Sequence, residues 1–168
     1  MTLPPVLADA FAALGLSPRL VEHPPLRTVA DAHKIWDHLP GMAVKNLFLK
    51  DAGGQFWLVV LPAEVSVDTK ALASVIGSKR ISFGSAESLV RILGVEPGAV
   101  TPLAMINDSD HQVRLVLHAG LRQAETVLVH PLVNTATLLM PPDDVLRFLD
   151  RCGSAPRIID LTPAFRAG

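Results

Sequence analysis

The chain has 168 residues and a mass of 18.0 kDa, enough for one domain with a sizeable core and no need of a disulfide or metal staple. Apolar residues make up 49%, charged residues 18%, and the formal net charge is −1, which excludes a disordered chain, a collagen-like chain and a general nucleic-acid coat. No apolar run reaches the ~18 residues of a membrane span, and Met1-Thr2-Leu3-Pro4-Pro5 lacks the basic region and long apolar run of a signal peptide.

Residues 3–16 read as a first helix, because Val6, Leu7, Ala10, Phe11 and Leu14 recur at helical spacing and Gly15 suits a left-handed cap. Residues 20–22 form a short strand candidate, stopped by His23-Pro24-Pro25. Thr28, with Asp31 three residues on, resembles a capping box and opens a helix expected to end near Leu39-Pro40-Gly41. The period then changes. Residues 44–50 and 55–61 flank Asp51-Ala52-Gly53-Gly54, a hairpin signal. Ser66 or Asp68 caps a helix to Ile76-Gly77, residues 81–83 are a strand, and Ser85 starts a helix ending at Leu93-Gly94.

After a Gly/Pro-punctuated loop at 95–102, strands are expected at 103–106, 113–117, 126–129 and 137–140. Pro141-Pro142 and Asp143-Asp144 suit the first turn of a helix that runs to about Arg151. Residues 157–161 are a last strand candidate. Without repeats or linkers, the whole of 1–168 reads as one mixed α/β domain.

Standard enzyme signatures are absent: there is no phosphate-cradling Gly-rich motif, dinucleotide fingerprint, Gly-x-Ser-x-Gly elbow or zincin motif. His33 and His38 are five apart and do not share a helix face as a metal-ligand pair would. Asp108, Asp110 and His111 fit a turn, where Asp bonds its own backbone, better than a metal site. Cys152 lacks a nearby histidine and reads as an idle thiol; as the only cysteine it cannot pair internally, so a reducing cytoplasm is expected. All five lysines lie between Lys34 and Lys79, with Arg80 next, either a solvated face or a local basic surface.

Three features offer more chemistry. Lys45-Asn46 opens a strand in which Asn46 shares the face of Phe48 and Lys45 points to the other, as a solvated strand end or as a site pair. The small-residue segment Gly98, Ala99, Val100, Thr101, Pro102 is either an ordinary turn or a loop whose backbone approaches a ligand. His130 closes an apolar strand, as hydrogen-bonded structure or as a catalytic group.

Together with "EHPPLRTV" at 22–29, "LPGMAVKNLFLKD" at 39–51, "FWLVVLP" at 56–62, "SFGSAESLVRILGVEPGAVTPLAMIND" at 82–108 and "VHPLVNTATLLM" at 129–140, these features give a resemblance that spans about residues 16–161. The sequence resembles the YbaK and prolyl-tRNA synthetase-associated editing-domain family, most closely its freestanding ProXp-ala (PrdX-like) branch of alanyl-tRNA(Pro) deacylases. The resemblance implies a mixed sheet curled toward a barrel with helices around it. It also implies hydrolysis of the ester of mischarged alanyl-tRNA(Pro), sparing prolyl-tRNA(Pro), with no metal, cofactor or covalent nucleophile.

On that likeness Lys45, Asn46 and His130 are the catalytic positions, and Gly98, Ala99, Val100, Thr101 and Pro102 bind the substrate. Lys50 and Arg80 meet the tRNA acceptor stem. The implied partner is mischarged tRNA(Pro), through its acceptor stem and aminoacylated 3′ end; docking on prolyl-tRNA synthetase stays open, and no membrane or DNA partner is implied. A deacylase for cysteinyl- or other small-amino-acid tRNA, and a module that binds aminoacyl-tRNA without hydrolysing it, are the alternatives. A site that admits alanine and excludes proline is expected to be small, with walls from Val, Leu and Ile near Lys45 and Gly98.

Overall fold

The computed structural model describes residues 3–166; Met1 and Thr2, part of the start read for signal-peptide character, lie outside the described residues, as do Ala167 and Gly168. The chain runs α1 (Pro5–Leu14), β1 (Arg19–Glu22), α2 (Val29–Trp36), β2 (Met42–Asp51), β3 (Phe56–Pro62), α3 (Thr69–Ile76), β4 (Ile81–Phe83) and α4 (Ala86–Leu93). It continues with β5 (Val113–His118), β6 (Val127–Val129), β7 (Ala136–Met140), α5 (Pro142–Arg151) and β8 (Arg157–Ile159). The strands form one mixed sheet in the order β1-β7-β6-β2-β3-β5-β8, with β4 also on β2. β2–β3, β2–β4, β1–β7 and β6–β7 are antiparallel; β2–β6, β3–β5 and β5–β8 are parallel. The expected mixed α/β architecture is present, as a strand path with β1 and β8 at its two ends.

β3 lies inside the sheet between β2 and β5, and its run FWLVVLP is apolar on both faces because both are covered. Phe56, Leu58 and Val60 join Val44, Phe48 and Leu115 in a core beneath α1, α4 and α5. Trp57, Val59 and Leu61 join Leu49 and Val116 in a second core beneath α3. The β2–β3 turn is built around buried Asp51, whose Oδ1 accepts the Gly53 and Gln55 N–H groups and whose Oδ2 accepts Trp57 Nε1–H.

Helix boundaries follow capping chemistry. Thr28, Asp68 and Ser85 cap α2, α3 and α4 by accepting the N–H three residues on. α2 ends at Trp36, short of the expected Leu39-Pro40-Gly41, and buries only Ala32. The expected strand at 103–106 is not a strand: Pro102–Asn107 is a 3₁₀ helix, started by Pro102 and capped by Thr101 Oγ1, which accepts Leu103 N–H. The last strand likewise stops at Ile159, before a 3₁₀ turn at Thr162–Ala164. Asp108 accepts the Gln112 and Val113 N–H groups, the turn role its residue type suggests. Cys152 is the C-cap residue of α5 through its backbone N–H, and burial pushes its thiol up to about 11, consistent with an idle thiol.

Gly84 is required by close approach. A Cβ there would meet the buried Phe48 ring at 2.4 Å, and that ring stacks on Phe56 at 5.4 Å. Gly84→Ala is therefore expected to destabilise the fold by about 1–3 kcal/mol. A thermal melt reads this directly, and an unchanged midpoint would show that the Phe48–Phe56 stack yields freely.

Candidate functional site

A cleft of about 980 Å³ opens where the N-terminal end of β2 meets α2, and Lys45, Gly98 and His130 all line it. Three separate stretches of chain bring them there. Lys45 comes from β2, Gly98 from the short 3₁₀ turn Pro97–Ala99, and His130 from the start of the β6–β7 turn. Residues 26–29 and the inner side of α2 form the opposite wall, including Trp36.

The strand alternation places Lys45 and Asn46 on opposite faces, as read from the sequence. Asn46 lies on the Phe48 side and donates its Nδ2–H to the Val100 carbonyl at 3.1 Å, so β2 holds the 98–102 loop directly. Lys45 turns the other way and its ammonium donates to the Val65 carbonyl, just past β3. Burial pushes the Lys45 pKa below its ordinary value. An ammonium carries three N–H donors, so the contact with Val65 does not exhaust it.

His130 is fixed by its surroundings. Nδ1 lies 3.1 Å from the Ala136 carbonyl, which can only accept, so Nδ1 carries the proton and Nε2 is the lone-pair nitrogen of the neutral ring. Burial lowers its pKa and outweighs the Ala136 contact; the neighbouring His23, 6.5 Å away ring to ring, lowers it further. His23 is held in turn: its Nδ1–H donates to the Pro24 carbonyl and its Nε2 accepts from the Thr137 hydroxyl at 2.8 Å.

Several features of the site are absent from the sequence reading. Asn134, in the β6–β7 turn, donates Nδ2–H to the Leu26 carbonyl at 2.8 Å and packs against Gly98. The Oδ1 atoms of Asn46 and Asn134 and the Trp36 indole N–H are buried with no protein partner. A buried unsatisfied polar group costs about 1–3 kcal/mol; of these three residues only Trp36 lines the cleft, while Asn46 and Asn134 hold the Val100 and Leu26 carbonyls of its wall. In the same turn Leu132 has φ +69°, a conformation rare for a non-glycine residue and typical of strained functional loops. The only advance signal for Asn134 was its place in the 129–140 string, since its contacts span more than a hundred residues of chain.

Not every expected residue reaches the cleft. Ala99, Thr101 and Pro102 are buried and shape the loop from below, with only Gly98 of that segment on the cleft lining. Lys50 and Arg80 are exposed on the far part of β2 and beside β4, roughly 16 Å along the strand from Lys45 at ~3.3 Å per residue. This cleft is not itself the small Val/Leu/Ile pocket expected for an alanine sieve; a separate apolar space of about 30 Å³ lies among Val44, Val60, Pro102, Leu117, Val127 and Val129. The cleft is large; Leu26 and Val29 line it from the 26–29 segment, and the rest of its apolar lining is chiefly Ala32, Trp36, Pro40, Met42, Ala43 and Pro62, because the strand valines face the two cores instead.

The mixed sheet thus carries a cleft at one strand end lined by Lys45, Gly98, His33 and His130, and among the described residues no group of three or more His, Cys, Asp or Glu is placed to hold a metal ion. The profile of the aminoacyl-tRNA editing domain matches residues 23–148. The chain is 35% identical over 149 residues to the prolyl-tRNA editing protein ProX of Acetoanaerobium sticklandii, covering 88% of this chain and 91% of that protein. It is 34% identical to prolyl-tRNA synthetase associated domain-containing protein 1 of Bos taurus, covering 92% of each chain. Among solved structures, one described as a candidate trans-editing enzyme for prolyl tRNA synthetase superposes with a TM-score of 0.72 at 18% identity, over 99% of this chain and all of that one, which shows the shared fold. This chain belongs to the aminoacyl-tRNA editing domain family.

Proposed function

We propose that this protein is a trans-editing deacylase that hydrolyses the ester of mischarged alanyl-tRNA(Pro) and spares prolyl-tRNA(Pro). The observation that carries the reading is the convergence of Lys45, Gly98 and His130 on one cleft, in a chain related to prolyl-tRNA editing proteins. The need for such an enzyme is physical. A synthetic site built for proline cannot exclude the smaller alanine by size, and the missing atoms are worth only about 1–3 kcal/mol. A second site must therefore remove the error.

The reaction asks little of the protein, because an aminoacyl ester is already activated. Water attacks the ester carbonyl carbon, negative charge builds on the carbonyl oxygen, and the bond to the ribose oxygen breaks as that oxygen takes up a proton. The Lys45 ammonium faces the developing charge or the adjoining phosphate, where a preorganised cation in a partly dry cleft acts strongly. The lone pair of His130 Nε2 accepts a hydrogen bond from the attacking water, and the Gly98 loop, held by Asn46, seats the ribose end of the ester. The cleft at about 980 Å³ is far larger than an alanyl group, so it takes the terminal nucleoside as well. Discrimination against proline then falls to the part of the cleft beside Lys45 and Gly98 rather than to its total volume.

The state of His130 gives a pH test. Its pKa lies below the ordinary 6.5, so the neutral ring that this mechanism uses persists at neutrality and is lost only as pH falls further. Deacylation is expected to be level around neutral pH and to decline on the acid side below 6.5, and that decline should vanish in His130→Gln along with most of the rate. An acid limb centred at or above 6.5, or one that survives in the variant, would remove His130 from the reaction.

A further inference from the structure

We propose that Asn134 is a positioning residue of the editing cleft, whose side-chain amide clamps the 23–28 segment to the Gly98 loop. The proposal rests on the editing reading for its effect on rate, but the clamp itself is visible in the contacts. Asn134 Nδ2 lies 2.8 Å from the Leu26 carbonyl, 108 positions away in sequence. The same nitrogen would be 3.0 Å from a Cβ placed on Gly98, and its Cγ 3.5 Å, so the amide is wedged between these two parts of the cleft wall. Leu26 O can only accept, which fixes the amide orientation and leaves Oδ1 buried and unpartnered on the other side.

Neighbouring contacts tie the same two segments together. His23 N–H donates to the Thr135 carbonyl at 2.9 Å, and the His23 ring meets the Thr137 hydroxyl. His130 belongs to the same turn, whose backbone passes through the left-handed conformation at Leu132. One turn thus carries the proposed water-binding histidine and, four residues later, the amide that sets where Leu26 and Gly98 stand relative to it. A misplacement of about 1 Å at such a site can cost on the order of a hundredfold in rate. Asn134 acts through those neighbours and need not touch the reacting atoms.

The test is a kinetic cycle of Asn134→Ala, Asn134→Asp, Gly98→Ala and the Gly98→Ala/Asn134→Ala double variant on alanyl-tRNA(Pro). Asn134→Asp keeps the size but cannot donate to Leu26, so both Asn134 variants are expected to lose at least about tenfold in kcat, with KM little changed and a near-wild-type melt. Gly98→Ala should be damaging alone and add little once Asn134 has been trimmed, the non-additivity expected of residues coupled through one contact. Wild-type kcat in Asn134→Asp, or losses that simply multiply, would overturn the clamp.

Hydrogen exchange on the intact protein separates this from the functional reading. Asn134→Ala is expected to speed exchange in 23–28 and 97–102 while 127–129 and 136–140 stay protected. Faster exchange there would uphold the clamp even if the wild type hydrolysed no mischarged tRNA, a result that would sink the deacylase reading alone. Unchanged exchange in both segments would overturn the clamp even in an active enzyme.

Discussion

Replacing Lys45 by alanine is expected to slow deacylation of alanyl-tRNA(Pro) at least about tenfold, equivalent to about 1.4 kcal/mol of transition-state stabilisation, while the fold persists. The size follows from the role. A hydrogen bond to a charged group is worth about 1.5–3 kcal/mol, and an ammonium that faces developing negative charge loses all of that when truncated. The fold should survive because the Lys45 side chain is only half-buried and joins neither core. Among the described residues its hydrogen bond goes to the Val65 carbonyl, just past the end of β3, where water can replace it. Burial also disfavours the charged form of Lys45, so its removal relieves a strain on the folded state at neutral pH. Near-wild-type turnover in Lys45→Ala, with an unchanged circular dichroism spectrum, would show that the cleft works without its cation.

Truncating Lys50 or Arg80 is expected to weaken binding of full-length tRNA several-fold and to flatten its salt dependence by somewhat under one unit of slope per lost phosphate contact. The acceptor stem is duplex RNA, whose deep major groove hides most base edges, so grip comes from phosphates. Lys50 pairs opposite Ser82 in the β2–β4 ladder, and the ladder continues where Ala52 N–H donates to the Arg80 carbonyl. The two cations therefore fall on one face where β4 joins the β2–β3 pair, both exposed, with Lys50 on the strand that carries Lys45 but on its opposite face. Arg147 lies on α5 and is committed to the Leu14 carbonyl at 2.8 Å, which makes it the control. A salt titration of Lys50→Ala, Arg80→Ala and Arg147→Ala side by side decides the matter. If Arg147→Ala proves the most damaging and the other two are silent, the RNA approaches a different face.

Much of this architecture was legible because its signals are local. The Asp51-to-Gly54 turn, the caps at Thr28, Asp68 and Ser85, and the alternation that separates Lys45 from Asn46 all depend on residues within a few positions of one another. The run Leu-Ala-Met-Ile at 103–106 failed for the same reason: four apolar residues carry no period, and the flanking Thr101-Pro102 cap decided for a 3₁₀ helix. The cleft was legible only in part. Lys45, Gly98 and His130 carried recognisable local patterns, whereas Trp36 and Asn134 acquire meaning through partners far along the chain. The size of the cleft could not be read at all, since it depends on α2 burying a single residue and leaving its inner side to the cavity.

The central claim is selective hydrolysis, and its most direct test is a deacylation assay on alanyl-, cysteinyl- and prolyl-tRNA(Pro) with the intact protein. The expected result is rapid release of alanine, with prolyl-tRNA(Pro) left at the spontaneous rate. Faster release of cysteine than alanine would keep the enzyme and change its substrate. Tight binding of all three with no release above the spontaneous rate would contradict the account and leave an aminoacyl-tRNA-binding module in its place.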